Sequence, residues 1–332
     1  MAENPTPSQS TDESRRVELL CSTGQNFLVL GSAGTGKSML LQRLVQSARK
    51  RVQVLAPTGL AARQAGGKTI HSFLGLSLGL QRRNGLQLRQ EGPEQAEARR
   101  QAFRGLEALL IDEVSMLRAD VFDAIDARLR DEGPRPGEPF GGVQIGLFGD
   151  VLQLPPIVDD EVLPAFNGQW EEGWESPWFY DAHAFRCSRF QRVTLKRIFR
   201  QTHQEESFVT SLARLREGRM QPEDFALLNS RVAPETPEGG VSLVTTNQRA
   251  SGINTAKFNR LPGPKGTYLA TKEDWPEDWG NGPVPESVEV KVGARVLVCA
   301  NISPPVLVNG SLGTVVSFDQ EQVIVKVNDI HM

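Results

Sequence analysis

The segment GSAGTGKS at residues 31–38 constrains this chain most, because it stands between a predicted strand and a predicted helix. The strand is the apolar run FLVL at 27–30, and the helix begins at Lys37. A G-x-x-x-x-G-K-[ST] segment in this context is typical of a phosphate-binding loop. Backbone N–H groups in such a loop face an anion, while Lys37 supplies charge to the β- and γ-phosphates and Ser38 a hydroxyl to Mg²⁺. The predicted nucleotide-binding residues of the loop are Gly31, Ser32, Ala33, Gly34, Thr35, Gly36, Lys37 and Ser38. The alternative is a glycine-rich turn that matches by chance, which the flanking strand and helix disfavour.

Apolar runs continue to alternate with helical stretches after this loop. VQVLA at 52–56, ALLID at 108–112 and QIGLF at 144–148 are short and apolar throughout, as strands buried on both faces are. The segment after Ser115 places apolar residues on one helical face. We therefore predict an α/β fold with a parallel, doubly wound sheet.

Polar residues follow two of these strands. Asp112 and Glu113 end ALLIDE, and Gln153 lies shortly after QIGLFGD. Because ligands of open α/β sheets bind at the carboxyl ends of the strands, we expect Asp112 to hold Mg²⁺, Glu113 to polarise the attacking water and Gln153 to contact the γ-phosphate. A solvated turn for the two carboxylates and a capped loop for Gln153 are the alternatives.

Composition and charge argue against several other classes of protein. The three cysteines are far apart, with no histidine at metal-ligand spacing, which argues against a disulfide framework and against structural zinc. The net charge of −3 gives no overall basic footprint, so any nucleic-acid binding must come from local grooves. No window predicts a membrane span or a secretory signal, and we expect a cytoplasmic, nucleoid-associated location with no membrane partner.

A larger set of segments carries a family resemblance. GSAGTGKS, APTGLAARQAGGKTIHSF, LLIDEVSM, FGDVLQLPPI, LKRIFRQ and LVNGSLGTVV follow one another between about Asn26 and Val316. In this order they resemble the petite-integration-frequency (Pif) type DNA helicases of superfamily 1B, which are close to the RecD-like helicases. GD-x-LQLPP and IFRQ separate this family from generic phosphate-loop ATPases.

The resemblance implies an ATP- and Mg²⁺-dependent motor. It would move 5′ to 3′ on single-stranded DNA and unwind duplexes or G-quadruplexes, and we expect a monomer. By matching position, Arg200 resembles the arginine finger that reaches the γ-phosphate; a surface arginine is the alternative. The residues that resemble the DNA-contacting motifs are Pro57, Thr58, Gly59, Thr69, His71, Ser72 and Phe73. For His71 and Phe73, packing in the core is nearly as good an interpretation.

The family pattern also predicts a domain division. We expect a flexible lead-in at 1–16, a RecA-like ATPase lobe at 17–185 with a small wedge inserted at about 75–104, the start of a second RecA-like lobe at 186–287, and an SH3-like β-module at 288–332. Two late helicase motifs are absent, so we expect the second lobe and the module to be incomplete. The competing function is a nucleotide-dependent switch that binds single-stranded DNA without unwinding.

Overall fold

The computed structural model describes residues 11–82, 85–168, 173–199, 206–233, 240–269, 287–298 and 311–327. The chain divides into two compact units, Met1–Asp224 and Phe225–Met332. The first unit carries the phosphate loop and every other predicted site residue.

A six-stranded parallel sheet forms the centre of the first unit. Its strands are β1 Phe27–Gly31, β2 Val52–Ala56, β3 Lys68–Thr69, β4 Ala108–Ile111, β5 Gln144–Gly149 and β6 Gln191–Leu195. Their order in the sheet is β3-β2-β4-β5-β1-β6, and every neighbouring pair is parallel. This confirms the predicted fold class. The carboxyl ends of the strands lie at one edge, where the polar segments emerge.

The boundary predicted at residue 185 requires a correction. Strand β6 pairs with β1, with Val193 opposite Val29, so it belongs to the first sheet rather than to a second lobe. Val193 and Leu195 are buried in the first unit's core, which explains why the strand closes this sheet. The first unit therefore continues to Asp224.

Helices cover both faces of this sheet. The helices of the first unit are α1 Asp12–Ser22, α2 Lys37–Ser47, α3 Gly59–Gln64, α4 Ile70–Leu74, α5 Pro93–Arg104, α6 Ala119–Glu132, α7 His183–Cys187 and α8 Glu206–Arg216. Alternate residues of each strand pack into two separate cores, one on each face of the sheet. On one face, Leu28 and Leu147 pack with α4 to α7. Val29 and Phe148 pack with α1 and α2 on the other face. Burial on both faces explains the uninterrupted apolar runs.

The flexible lead-in predicted over residues 1–16 is too long. Helix α1 begins at Asp12, because the Thr11 hydroxyl accepts a hydrogen bond from the Ser14 N–H at 3.2 Å. Val17 and Leu20 of this helix are buried. An N-cap and an apolar face are enough to order these residues.

The predicted wedge region contains short bridges and one helix. Leu76 pairs with Leu88, and helix α5 buries Phe103 against the first core. Arg99 of this helix forms an ion pair with Glu91 and donates to the Ser72 carbonyl at 2.8 Å. Arg99 therefore ties α5 to α4.

The described part of the second unit contains one long helix and antiparallel strands. Helix α9 Pro222–Asn229 spans the division between the units, and the remaining elements are α10 Asn247–Arg260, β7 Gly266–Leu269, β8 Ser287–Val290, β9 Arg295–Leu297, β10 Leu312–Phe318 and β11 Val323–Val327. β7 pairs with β8, while β9, β10 and β11 form a three-stranded sheet. The apolar run at 242–246 forms no strand, and Leu243 is 95% exposed. Only antiparallel pairs occur among the described residues of this unit, so a second RecA-like lobe and an SH3-like module stay predictions.

Within the part of the chain that the structure describes, no helix is both long and apolar enough to cross a membrane.

Candidate nucleotide site and DNA-binding edge

The phosphate loop connects β1 to α2 through two residues with left-handed backbone. Gly34 and Gly36 have φ angles of 80° and 85°, which side chains disfavour. Helix α2 begins at Lys37, and among the described residues no side chain caps it at Gly36. The N–H groups of its first turn are therefore free of a side-chain acceptor and can bind an anion. Ser38 lies exposed in that turn.

Lys37 lies across this loop. Its ammonium Nζ donates to the carbonyl oxygens of Gly31 at 2.9 Å and Ser32 at 3.1 Å. Burial lowers the pKa of Lys37, and the carboxylates of Asp150 and Glu113 oppose that shift. The ammonium is thus a partly desolvated cation, which interacts more strongly with phosphate than an exposed lysine would.

Asp112 and Glu113 follow strand β4. Asp112 is 6% exposed, and its Oδ1 accepts a hydrogen bond from the Glu113 N–H at 2.9 Å. Burial raises the pKa of both carboxyl groups, and the charge of Asp112 raises the pKa of Glu113 further. Glu113 also has a φ of 51°, a strained value for a residue other than glycine. A carboxylate with a raised pKa is suited to accept a proton near neutral pH.

Strand β5 ends beside these carboxylates. A Cβ at Gly149 would lie 2.8 Å from Val114 Cγ1, so the chain can approach this closely only with glycine there. Asp150 follows, 2% exposed, and its carbonyl accepts from the Gln153 N–H at 2.9 Å. The Gln153 side chain is exposed at this turn.

An arginine outside the predicted set reaches the same turn. Arg216, the last residue of α8, places its Nη2 2.6 Å from Asp150 Oδ1. No sequence signal identifies this pair, because the two residues are 66 positions apart in the chain.

The IFRQ segment approaches the phosphate loop. The Phe199 N–H donates to the Gly34 carbonyl at 2.9 Å, and a Cβ at Gly36 would lie 3.5 Å from the Phe199 ring. Arg200, the predicted arginine finger, lies outside the described residues, so its role stays a prediction.

Most of the predicted DNA-contacting residues lie together at the carboxyl ends of β2 and β3. These strands are neighbours, with Ala56 opposite Thr69. Pro57, Thr58 and Gly59 follow the first strand, and Ser72 follows the second on α4. Thr58 and Thr69 cap α3 and α4 by accepting N–H groups at 3.2 Å. Gly59 and Ser72 are exposed. The sheet edge therefore brings both segments to one surface, which we call the DNA-binding edge after the role predicted for these residues.

Two aromatic residues of the predicted set, Phe73 and His71, are less exposed than Gly59 and Ser72. Phe73 is 6% exposed and packs edge-on against Phe103, with ring centroids 5.2 Å apart. Of the two interpretations given for Phe73, packing in the core is the one that this burial supports, because a core side chain cannot stack on a base. His71 is half-buried, and burial followed by the charge of Arg118 lowers its pKa, which favours the neutral imidazole.

Comparison with known proteins agrees with this geometry. The family model of the PIF1-like helicases matches residues 15–225, which is more than half of the chain. The chain belongs to the PIF1-like helicase family. This confirms the family predicted from the ordered motifs, and the matched range ends close to the division between the two units.

Individual PIF1-like proteins match over nearly the whole chain. The ATP-dependent DNA helicase PIF1 of Saccharomyces cerevisiae (strain YJM789) is 32% identical over 325 residues, which are 92% of this chain and 35% of the yeast protein. A solved structure concerned with DNA unwinding at forked double-stranded DNA by two coordinating Pif1 helicases is 31% identical, with a TM-score of 0.77 over 96% of this chain and 74% of that one. The Bacteroides Pif1 helicase with ADP-AlF3 and single-stranded DNA is 30% identical, with a TM-score of 0.76 over 96% of this chain and 72% of that one. This chain thus spans about a third of the length of the yeast relative.

Proposed function

We propose that this chain is the ATP-hydrolysing part of a DNA helicase that moves on single-stranded DNA. The observation that carries the proposal is the cluster at one sheet edge: a helix N-terminus without a side-chain cap at Gly36, the half-buried ammonium of Lys37, and the carboxylates of Asp112 and Glu113. Its PIF1-like relatives are named ATP-dependent DNA helicases. The alternative of a DNA-binding switch without unwinding is not favoured, because no similar protein among these bears such a name.

The residues of this site fit Mg²⁺. Asp112 is a nearly buried carboxylate with a raised pKa, so a cation beside it would stabilise its charged form. Ser38 offers a hydroxyl oxygen, and hydroxyl and carboxylate oxygens are ligands that Mg²⁺ accepts together with waters and phosphates. When bound, Mg²⁺ would neutralise charge on the phosphate oxygens.

Each group of the protein has its own role in the proposed reaction. The loop amides and Lys37 bind the β- and γ-phosphates of ATP, and Glu113 accepts a proton from the attacking water. Gln153 contacts the γ-phosphate region, and Arg200 stabilises the charge of the transition state. The DNA-binding edge offers Ser72 and backbone N–H groups to the phosphates of a single strand.

Two measurements test the proposal. Single-stranded DNA should stimulate ATP hydrolysis by the purified chain, and a duplex with a 5′ tail should be unwound in preference to one with a 3′ tail. No hydrolysis above that of the Lys37→Ala protein would overturn the enzyme assignment. Hydrolysis without separation of either duplex would contradict the helicase part alone. G-quadruplex unwinding, a monomeric state and the nucleoid-associated location stay predictions.

A further inference from the structure

The ion pair between Arg216 and Asp150 joins a distant helix to the nucleotide site. Asp150 is 2% exposed and its side chain has two partners there: the Arg216 guanidinium at 2.6 Å and the Leu152 N–H at 3.1 Å. The Arg216 side chain is 32% exposed, so the pair is partly shielded from water. A shielded, charge-assisted hydrogen bond of this length is a strong contact.

Asp150 lies among groups of the same charge. Its carboxylate interacts electrostatically with the Lys37 ammonium, as do those of Glu113 and Asp112, and the charge of Arg216 acts on Lys37 in the opposite direction. The triphosphate of ATP must bind at this lysine as well. Because like charges repel strongly where water is excluded, a buried Asp150 without a counter-charge would oppose nucleotide binding.

Asp150 also shapes the turn that carries Gln153. Its side chain accepts from the Leu152 N–H, and its carbonyl accepts from the Gln153 N–H at 2.9 Å. The oxygen bound by Leu152 is the same Oδ1 that Arg216 contacts. Loss of the guanidinium would therefore affect both the charge at the site and the position of the turn.

We propose that Arg216 is a positioning residue for ATP: its guanidinium neutralises Asp150 and holds the Asp150–Gln153 turn beside the phosphate loop. This inference rests on the proposed ATPase function. It assigns to α8 a role in nucleotide binding, in addition to any structural role.

The same helix provides a matched control. Arg214, two residues earlier, forms an ion pair with Asp224 at 3.3 Å, and its side chain is 42% exposed. This pair joins α8 to the start of α9 and does not involve Asp150. Replacing Arg214 removes the same charge from the same helix.

The experiment compares the full chain with its Arg216→Gln, Arg214→Gln, Asp150→Asn and Asp150→Asn/Arg216→Gln variants. Equilibrium binding of a fluorescent ATP analogue gives Kd, and steady-state hydrolysis gives KM and kcat separately. We expect Arg216→Gln to weaken binding by about 10-fold or more, because it leaves the buried Asp150 carboxylate without its arginine counter-charge. Arg214→Gln should change Kd by less than about 3-fold, because the Arg214–Asp224 pair does not involve Asp150.

The double variant gives the decisive result. Neutralising Asp150 should restore most of the affinity lost in Arg216→Gln, since no uncompensated charge remains. An equal loss in Arg214→Gln, or no recovery in the double variant, would overturn the proposal. If Arg216→Gln does not fold by circular dichroism, the double variant is compared with Asp150→Asn: equal affinities support the proposal, and a further large loss overturns it. Failure of the unmodified chain to bind the analogue would instead contradict the proposed function.

Discussion

The two units bury their hydrophobic residues to very different extents. In the first unit, two large clusters pack against both faces of the sheet, and the site residues follow strands whose side chains are almost wholly buried. In the described part of the second unit, the core cluster has three buried residues, Val290, Ala294 and Val315, and α10 has none. The proposed catalytic groups thus lie in the unit with the larger core, where packing can hold them in place.

The largest expected effect comes from removing the lysine of the phosphate loop. Lys37→Ala should lower kcat/KM for ATP by about 10³-fold or more, because a desolvated cation at the phosphates is lost. The matched control is Lys265→Ala in the second unit, where Lys265 pairs with Glu289 at 2.5 Å and both are exposed. Equal losses in the two variants would show that the comparison between the units is incorrect.

Replacing the proposed base should have the next largest effect. Glu113→Gln should lower kcat by about 10²–10³-fold while ATP still binds, because only proton acceptance is removed. Glu113 can accept a proton only when it is ionised. Because burial raises its pKa, the activity of the unmodified chain should begin to fall, as the solution is acidified, at a pH above the usual pKa range of glutamate. A kcat–pH profile with its acid limb at an ordinary glutamate pKa would contradict the assignment.

Substitutions in the two cores should destabilise the two units to different extents. Phe122 is fully buried, with ring centroids 5.6 Å from Phe140 and 6.1 Å from Phe185. Phe122→Ala should lower the free energy of unfolding of the first unit by about 3–5 kcal/mol. Val315→Ala in the second unit should cost about 1–2 kcal/mol, since only two methyl groups leave a small core. Hydrogen exchange of peptides from β5 and β10 measures the stability of each unit. Similar losses of protection in both peptides for Phe122→Ala would show that the two cores do not unfold independently.

The smallest effect should come from the DNA-binding edge. Ser72→Ala removes one exposed hydroxyl and should weaken single-stranded DNA binding by about 2- to 5-fold, the value of one hydrogen bond. Thr267→Ala, which removes an exposed hydroxyl from β7 of the second unit, is the control. Phe73→Leu should leave DNA affinity unchanged and lower stability instead, since this ring is in the core. Fluorescence anisotropy with a labelled oligonucleotide checks all three variants, and a loss of affinity in Phe73→Leu would place that ring back at the DNA surface.

Much of the nucleotide site could be predicted because its parts are local. The phosphate loop occupies one strand–loop–helix segment, and Asp112 and Glu113 directly follow another strand, so apolar runs and their flanking residues identify them. The grouping of Thr58 and Ser72 came from the structure, in which the parallel strands β2 and β3 end at one edge. Their DNA contacts and the role of Arg200 rest on the resemblance and stay predictions.

The sequence by itself determined the fold class, the family and the residues of the phosphate loop, because each depends on residues close together in the chain. The tertiary structure decided the pairing of β6 with β1, the burial of Phe73 against Phe103 and the contact of Arg216 with Asp150. These contacts join residues distant in the chain, and packing of the whole unit selects them. Short-range periodicity does not specify which distant side chains meet.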